Sequence, residues 1–297
     1  MVIVLLNGKL IDEQKAVVSV YDHGFLYGMG LFETFRTYGG EPFLLERHVR
    51  RLEAGCRDLG IGYTPDAGEI AWSVRSLLEA NHLKDAYIRW TVTAGEGILG
   101  LPAGEYDQPN VIGYIKELPA VNIQPDAPGK TLQLLKLRRN SPEGEVRHKS
   151  LHYMNNILGK RELSAYTWAK QAEGLFLDER GYVAEGLVSN LFFIKNGVCC
   201  TPSLDTGILP GITREFVLEL AESRGMRTEQ GLYRWEELLE ADEVFMTNSI
   251  QEIVPVTSIY DTAGTERIIG SRQAGAVTAH LLEQYRAAAC AKSSIGE

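Results

Sequence analysis

The chain has 297 residues, 44% of them hydrophobic, which is more than one ordinary hydrophobic core takes up and makes two domains the expectation. With 39 acidic against 30 basic residues and a formal net charge of -9, an extended phosphate-backbone contact surface is disfavoured, and nucleic acid with it. The opening MVIVLLNGKL has no basic segment before its short apolar run and no small-residue cleavage site, and no apolar stretch reaches membrane-span length, so a cytoplasmic globular protein is expected.

Cys56, Cys199, Cys200 and Cys290 show no CxxC spacing, and the six histidines form no metal-binding pattern. Neither a disulfide framework nor a metal site is expected, and demanding chemistry would need an organic cofactor.

In chain order, residues 31–45, LFETFRTYGGEPFLL, predict a hairpin, because Gly39-Gly40 accepts positive φ in the turn. A helix follows from Glu46 to Leu59, with Val49, Leu52, Cys56 and Leu59 on one stripe, and a second near Asp66 to Asn81 carries Ile70, Val74, Leu77 and Leu78. AYIRWTVTA and VIGYIKE alternate as strands, completing an α+β domain over residues 1–118. Pro119, Pro125 and Pro128 break ladders, so residues 119–129 are the expected linker and 130–297 the second domain. There the strand TLQLLKL precedes Lys149, and a helix is expected from about Leu151 to Lys170. Strands follow near 174–177, 182–185 and 190–195, with a hairpin turn at Asn196-Gly197; helices near 212–224 and 271–289 frame strands near 243–247 and 253–259.

Several residues along this path could carry chemistry. Arg47 opens a helix and could grip a phosphate with its fork, or be a solvated arginine like Arg50 and Arg51 beside it. Lys149, in RHKSLHYMNN, is a surface lysine or a nucleophile. Glu185 precedes a strongly apolar strand and is an exposed hairpin residue or a buried anion. In LDTGILPGITREFVLELA Gly207, Pro210 and Gly211 make a turn that opens directly into a helix, leaving Ile212 and Thr213 in the first turn, where unpaired N–H groups and the dipole suit a phosphate. Thr247, Asn248 and Ser249, at the end of a strand, could donate to the same group. A lysine that forms a Schiff base, phosphate donors, and a carboxylate that keeps a pyridine nitrogen protonated are the parts a pyridoxal 5'-phosphate site needs.

YDHGFLYGMGLFETFR, LLERHVRRL, RHKSLHYMNNILGKREL, AEGLVSNLFF, TPSLDTGILPGITR and TNSIQEIVPVT, in this order, resemble the fold-type IV pyridoxal phosphate enzymes over nearly the whole chain. That group contains branched-chain aminotransferases, D-amino acid aminotransferases and aminodeoxychorismate lyases, and RRNSPEG and TPSLDTGIL are most similar to the lyase branch. The resemblance implies two α+β domains of the D-amino acid aminotransferase-like fold, the cofactor in the cleft between them, and a homodimer. It makes Lys149 the Schiff-base lysine and proton shuttle, Glu185 the partner of the pyridine nitrogen, and Arg47, Ile212, Thr213, Asn248 and Ser249 the phosphate cradle.

The implied reaction converts 4-amino-4-deoxychorismate to 4-aminobenzoate and pyruvate, a step of folate precursor synthesis; a branched-chain or D-amino acid aminotransferase is the alternative, and a silent homologue the reading from another class. VTAGEGILGLPAGEY lacks the arginine and histidine with which D-aminotransferases bind the substrate carboxylate, and Phe32 stands where they have a tyrosine. Tyr153 lies one residue short of the position of the branched-chain enzymes' tyrosine. Arg138 and Arg147 are the cations available for the substrate's two carboxylates, or solvated flanking charge.

Overall fold

Apolar periodicity decides the first unit. In the computed structural model, which describes residues 1–118 and 129–293, helices α2 (Leu45–Asp58) and α3 (Ala67–Ala80) follow the short α1 (His23–Tyr27) and bury the stripes expected of them, including Leu52, Cys56, Ile70, Val74 and Leu77. They cover a sheet of β1 (Ile3–Leu6), β2 (Lys9–Asp12), β3 (Gly30–Tyr38), β4 (Glu41–Pro42), β5 (Ala86–Thr93) and β6 (Asn110–Glu117). Its order is β2-β1-β6-β5-β3-β4, with every pair antiparallel. Leu31, Phe35, Ile88 and Trp90 supply the sheet side of the core. Gly39 and Gly40 turn the β3–β4 hairpin at φ 58° and 85°, a conformation that a side chain would strain.

The second unit is built on a mixed sheet. Its strands are β7 (Lys130–Leu134), β8 (Glu173–Leu177), β9 (Val183–Gly186), β10 (Asn190–Lys195), β11 (Val198–Pro202), β12 (Thr228–Gly231), β13 (Glu243–Asn248), β14 (Glu252–Tyr260) and β15 (Glu266–Ile268). They run in the order β12-β11-β10-β13-β14-β7-β8-β9, with β15 on β14; β11–β12, β14–β7 and β7–β8 are parallel. Asn196 and Gly197 make the β10–β11 turn at φ 52° and 75°. The helices are α4 (Met154–Ala165), α5 (Ile212–Ser223), α6 (Trp235–Leu239) and α7 (Ala276–Ser293).

The units are not continuous in sequence: residues 148–152 and 289–293 group with the first, and 129–147 and 153–288 form the second. The expected division placed both short segments in the C-terminal domain, and the expected linker lies, but for Gly129, outside the described residues. Hydrogen bonding explains the first exchange. The upper part of β3 has an open edge, and Phe32 N–H donates to the Lys149 carbonyl at 2.9 Å while Leu151 N–H donates to Gly30 at 3.0 Å. The same pairing shortens the helix expected from 151 to 170, because residues committed to an extended ladder cannot start a helix; α4 begins at Met154 and ends at Ala165, where Tyr166 turns extended. Helix α7 starts later than 271 because Gly270 and Arg272 take φ 55° and 65°, and its first N–H groups, at Val277 and Thr278, are capped by the Glu243 carboxylate at 3.0 and 2.8 Å. Among the described residues no helix is long and apolar enough to cross a membrane.

Candidate active site

The first unit presents Lys149. Its main chain is a short extra strand on β3, and its half-buried side chain puts Nζ 4.6 Å from the ring centroid of Phe32, itself only 2% exposed. The Arg89 guanidinium carbon, from β5, lies 3.6 Å from the centroid of the same ring. Phe32 is thus an apolar platform with two cations on it, an arrangement that ring quadrupoles favour. Strand alternation sends the neighbouring Glu33 to the other face, toward α2. There Arg51 grips it through Nε at 2.8 Å and Nη2 at 2.7 Å, and His48 Nδ1 donates to it at 2.7 Å. Arg47, half-buried in the first turn of α2, stands one turn before Arg51 on the same face.

Burial by itself would raise the Glu33 carboxyl; the Arg51 charge and the bonds from Arg51 and His48 outweigh it and bring the pKa down to about 2. Burial holds the His48 imidazole below its ordinary value despite the carboxylate, and the charges of Arg51 and Lys149 add to that. A carboxylate whose pKa is lowered on folding stabilises the protein above its ordinary value and loses that contribution as pH falls from about 4.5 toward 2. At most about 3 kcal/mol is at stake. Urea unfolding at pH 6 and pH 3 is expected to show about 2 kcal/mol of that difference in the wild type, and Glu33→Gln to lose this share; an unchanged acid limb in the variant would contradict the assignment.

The second unit presents an anion and a helix N-terminus. Glu185, on β9 and 5% exposed, accepts from Arg139 Nε at 2.8 Å through one oxygen. Through the other it accepts from Leu209 N–H at 3.0 Å and Asn190 Nδ2 at 3.4 Å. Arg139 is also buried and reaches Asn155 Oδ1, on α4, at 2.8 Å. Asn190 Nδ2 donates to the Leu209 carbonyl at 3.0 Å, so Glu185 and Asn190 together shape the turn Leu209–Gly211 that opens α5. Gly211 is required at that turn: a Cβ there would come to 1.9 Å from Asn190 Oδ1.

Ile212 and Thr213 lie buried in the first turn of the twelve-residue α5, as expected, and Thr213 Oγ1 is 3.4 Å from Ser249 Oγ. Asn248 shapes the turn after β13 through its side-chain oxygen, which accepts from Ile250 and Gln251 N–H at 3.0 and 2.8 Å. Beside it the Thr247 hydroxyl, 1% exposed, has no hydrogen-bond partner among the described residues. First-turn amides, two hydroxyls meeting across the turn and an unsatisfied buried hydroxyl make a donor set that fits a phosphate.

The expected carboxylate readers fare differently. Arg147 is buried, donates to the carbonyls of Gly207 and Asn140, and is drawn down to a pKa of about 10 by burial and by the charge of Arg139. Its guanidinium is committed to Gly207 and Asn140. Arg138 is exposed, and Tyr153 is half-buried at the start of α4. The sequence reading did not single out Arg139, Arg89, His48 or Glu33. Arg139 and Arg138 are adjacent and look alike in sequence; the one signal was strand alternation continuing past β7, which turns one of the two inward.

Over residues 30–259 the chain matches the family Amino-transferase class IV. It is 44% identical over 285 residues, 95% of this chain and 93% of the relative, to the aminodeoxychorismate lyase of Bacillus subtilis (strain 168). Its structure is similar to that of the branched-chain aminotransferase of Thermoproteus uzoniensis with norvaline, at a TM-score of 0.85 and 29% identity, covering 98% of this chain and 95% of that one. It is similar also to the T.th. branched-chain aminotransferase complexed with N-(5'-phosphopyridoxyl)-L-glutamate, at a TM-score of 0.83 and 29% identity, covering 97% and 94%.

Proposed function

The chain belongs to the class IV aminotransferase family, and from that membership we propose that it is a pyridoxal phosphate-dependent lyase converting 4-amino-4-deoxychorismate to 4-aminobenzoate and pyruvate. The observation that carries the choice of reaction is the 44% identity, over 95% of the chain, to an aminodeoxychorismate lyase. When bound, the cofactor supplies an electron sink for the charge left behind when a proton departs next to the substrate nitrogen.

The chain's own residues do the rest. Lys149 would hold the cofactor covalently, and its amine would take the proton from the ring carbon that bears the substrate amine. Glu185 keeps a proton on the pyridine nitrogen, and Arg139, Leu209 N–H and Asn190 hold that carboxylate ionised and aimed. The α5 amides at Ile212 and Thr213, the Thr213 and Ser249 hydroxyls, the Asn248 turn and Arg47 of α2 would take the phosphate. Phe32 would offer the substrate ring an apolar face beside Lys149, and Tyr153 is a further substrate contact in this proposal. We also infer a homodimer in the cytoplasm; light scattering on the purified protein tests the dimer.

For the substrate's carboxylates the cations to compare are Arg89, Arg138 and Arg147. Arg89→Gln is expected to raise KM most, by about tenfold with kcat little changed, because Arg89 shares the Phe32 ring with Lys149. Arg147→Gln is expected to act mainly on stability, since that side chain is tied to carbonyls. Wild-type KM in Arg89→Gln would remove it from the site.

The deciding experiment supplies enzymatically generated aminodeoxychorismate with and without the protein. Equal, protein-dependent release of 4-aminobenzoate and pyruvate is expected. No release, together with keto-acid-dependent amino transfer, would favour the branched-chain or D-amino acid aminotransferase alternative.

A further inference from the structure

We propose that the ion pair of Glu252 and Arg286 is a positioning pair, which holds the turn Asn248–Gln251 in shape and so sets how tightly the cofactor's phosphate is bound. The inference rests on the reading that this turn and the start of α5 receive a phosphate.

Glu252 is the first residue of β14 and the register partner of Asn248, so it closes the turn from its far side. It does so at φ 66°, a conformation that residues with a side chain hold only where their surroundings enforce it. The enforcement comes from its carboxylate, which is buried with the residue at 3% exposure and accepts from Arg286 Nε at 2.7 Å. Arg286 is on α7, far along the chain from the turn, and its side chain is one-third exposed at 33%.

The turn has two more anchors. Asn248 Oδ1 accepts from the N–H groups of Ile250 and Gln251, and Gln251 Oε1 accepts from Lys130 Nζ, at the start of β7, at 2.8 Å. What these anchors hold in place is Ser249, whose hydroxyl lies 3.4 Å from that of Thr213 at the α5 terminus. Glu252 and Arg286 act through the turn rather than on the phosphate. A helix near the C-terminus thereby becomes part of the machinery for cofactor affinity, through a pair that solvent reaches on one side only.

The test measures binding of pyridoxal phosphate and of pyridoxal, which lacks the phosphate, to the full chain and to Arg286→Met, Arg286→Lys, Glu252→Gln and Glu252→Gly, with thermal melting to show that each is folded. Arg286→Met and Glu252→Gln are expected to weaken pyridoxal phosphate about tenfold, the scale of one charge-assisted hydrogen bond, and to leave pyridoxal unchanged. Arg286→Lys should recover most of the loss. Glu252→Gly, free to take a positive φ but without the carboxylate, should bind as weakly as Glu252→Gln. Wild-type affinity in folded Arg286→Met, equal losses for both ligands, or full affinity in Glu252→Gly would each overturn the pair's role. A wild-type protein that binds both ligands equally would take down the phosphate reading itself, and the inference with it.

Discussion

Lys149→Ala is expected to release 4-aminobenzoate about 10⁴-fold more slowly than the wild type while still binding pyridoxal phosphate. Proton transfer by a positioned group contributes roughly 10²- to 10⁴-fold, and in the proposed function one side chain both anchors the cofactor and moves the proton, so the upper end is expected. Retention of the cofactor is expected because the proposed phosphate donors other than Arg47, and the Glu185 carboxylate, belong to the second unit, where Asn190, Leu209 and Arg139 set their geometry without Lys149. The lysine's removal should not disturb the first unit either, since its main-chain bonds to β3 are made by backbone atoms that alanine keeps. Activity and cofactor occupancy measured on one preparation separate chemistry from binding. A variant that turned over at the wild-type rate would remove Lys149 from the mechanism.

Glu185→Gln carries the second large effect. An amide cannot hold a positive charge on the pyridine nitrogen, so release is expected to fall by about 10²- to 10³-fold, the range for deleting one preorganised electrostatic partner. The change also touches stability, because Arg139 is 8% exposed and Glu185 is its carboxylate partner. Removing one member of a buried pair leaves an uncompensated charge and destabilises by about 3–5 kcal/mol; the glutamine retains an acceptor and should sit at the low end, whereas Glu185→Ala should reach the full value. Adding Arg139→Gln to Glu185→Gln separates the two roles. The double variant is expected to regain stability in urea unfolding and to remain as slow as the single one. Recovery of the rate along with the stability would mean that Glu185 serves the fold and not the cofactor.

Much of the site was legible because its signals are local. The turn before α5 shows as Gly-Ile-Leu-Pro-Gly followed by apolar periodicity, and the structure places Ile212 and Thr213 in the first helical turn as those residues require. Thr213 and Ser249 lie 36 positions apart and their hydroxyls come to 3.4 Å; both could be named as candidates because each ends or begins an element whose type the pattern announces. Arg139 was not found. The choice between it and Arg138 depends on which side chain turns inward where the chain leaves β7, and strand alternation carried past β7 is the one local signal for that. Glu33 and His48 escaped notice, and Arg51 reads as a solvated arginine, for a longer-range reason: 15 and 18 positions separate the carboxylate from its partners, and only the packing of α2 on β3 makes them one cluster.

Local pattern was enough for the elements and for the chemistry available to them. Helical spacing in α2 and α3, glycine pairs at turns and the ordered run of motifs depend on interactions within a few residues, and these act the same way in any fold. Where Lys149 belongs, and where its helix begins, was settled by folding in three dimensions. The open edge of β3 offers Lys149 and Leu151 backbone partners far back along the chain, and satisfying those groups outweighs the local preference for helix. The tie from Arg286 to the Asn248 turn was set in the same way, because an ion pair 34 positions apart forms only after strand and helix have packed.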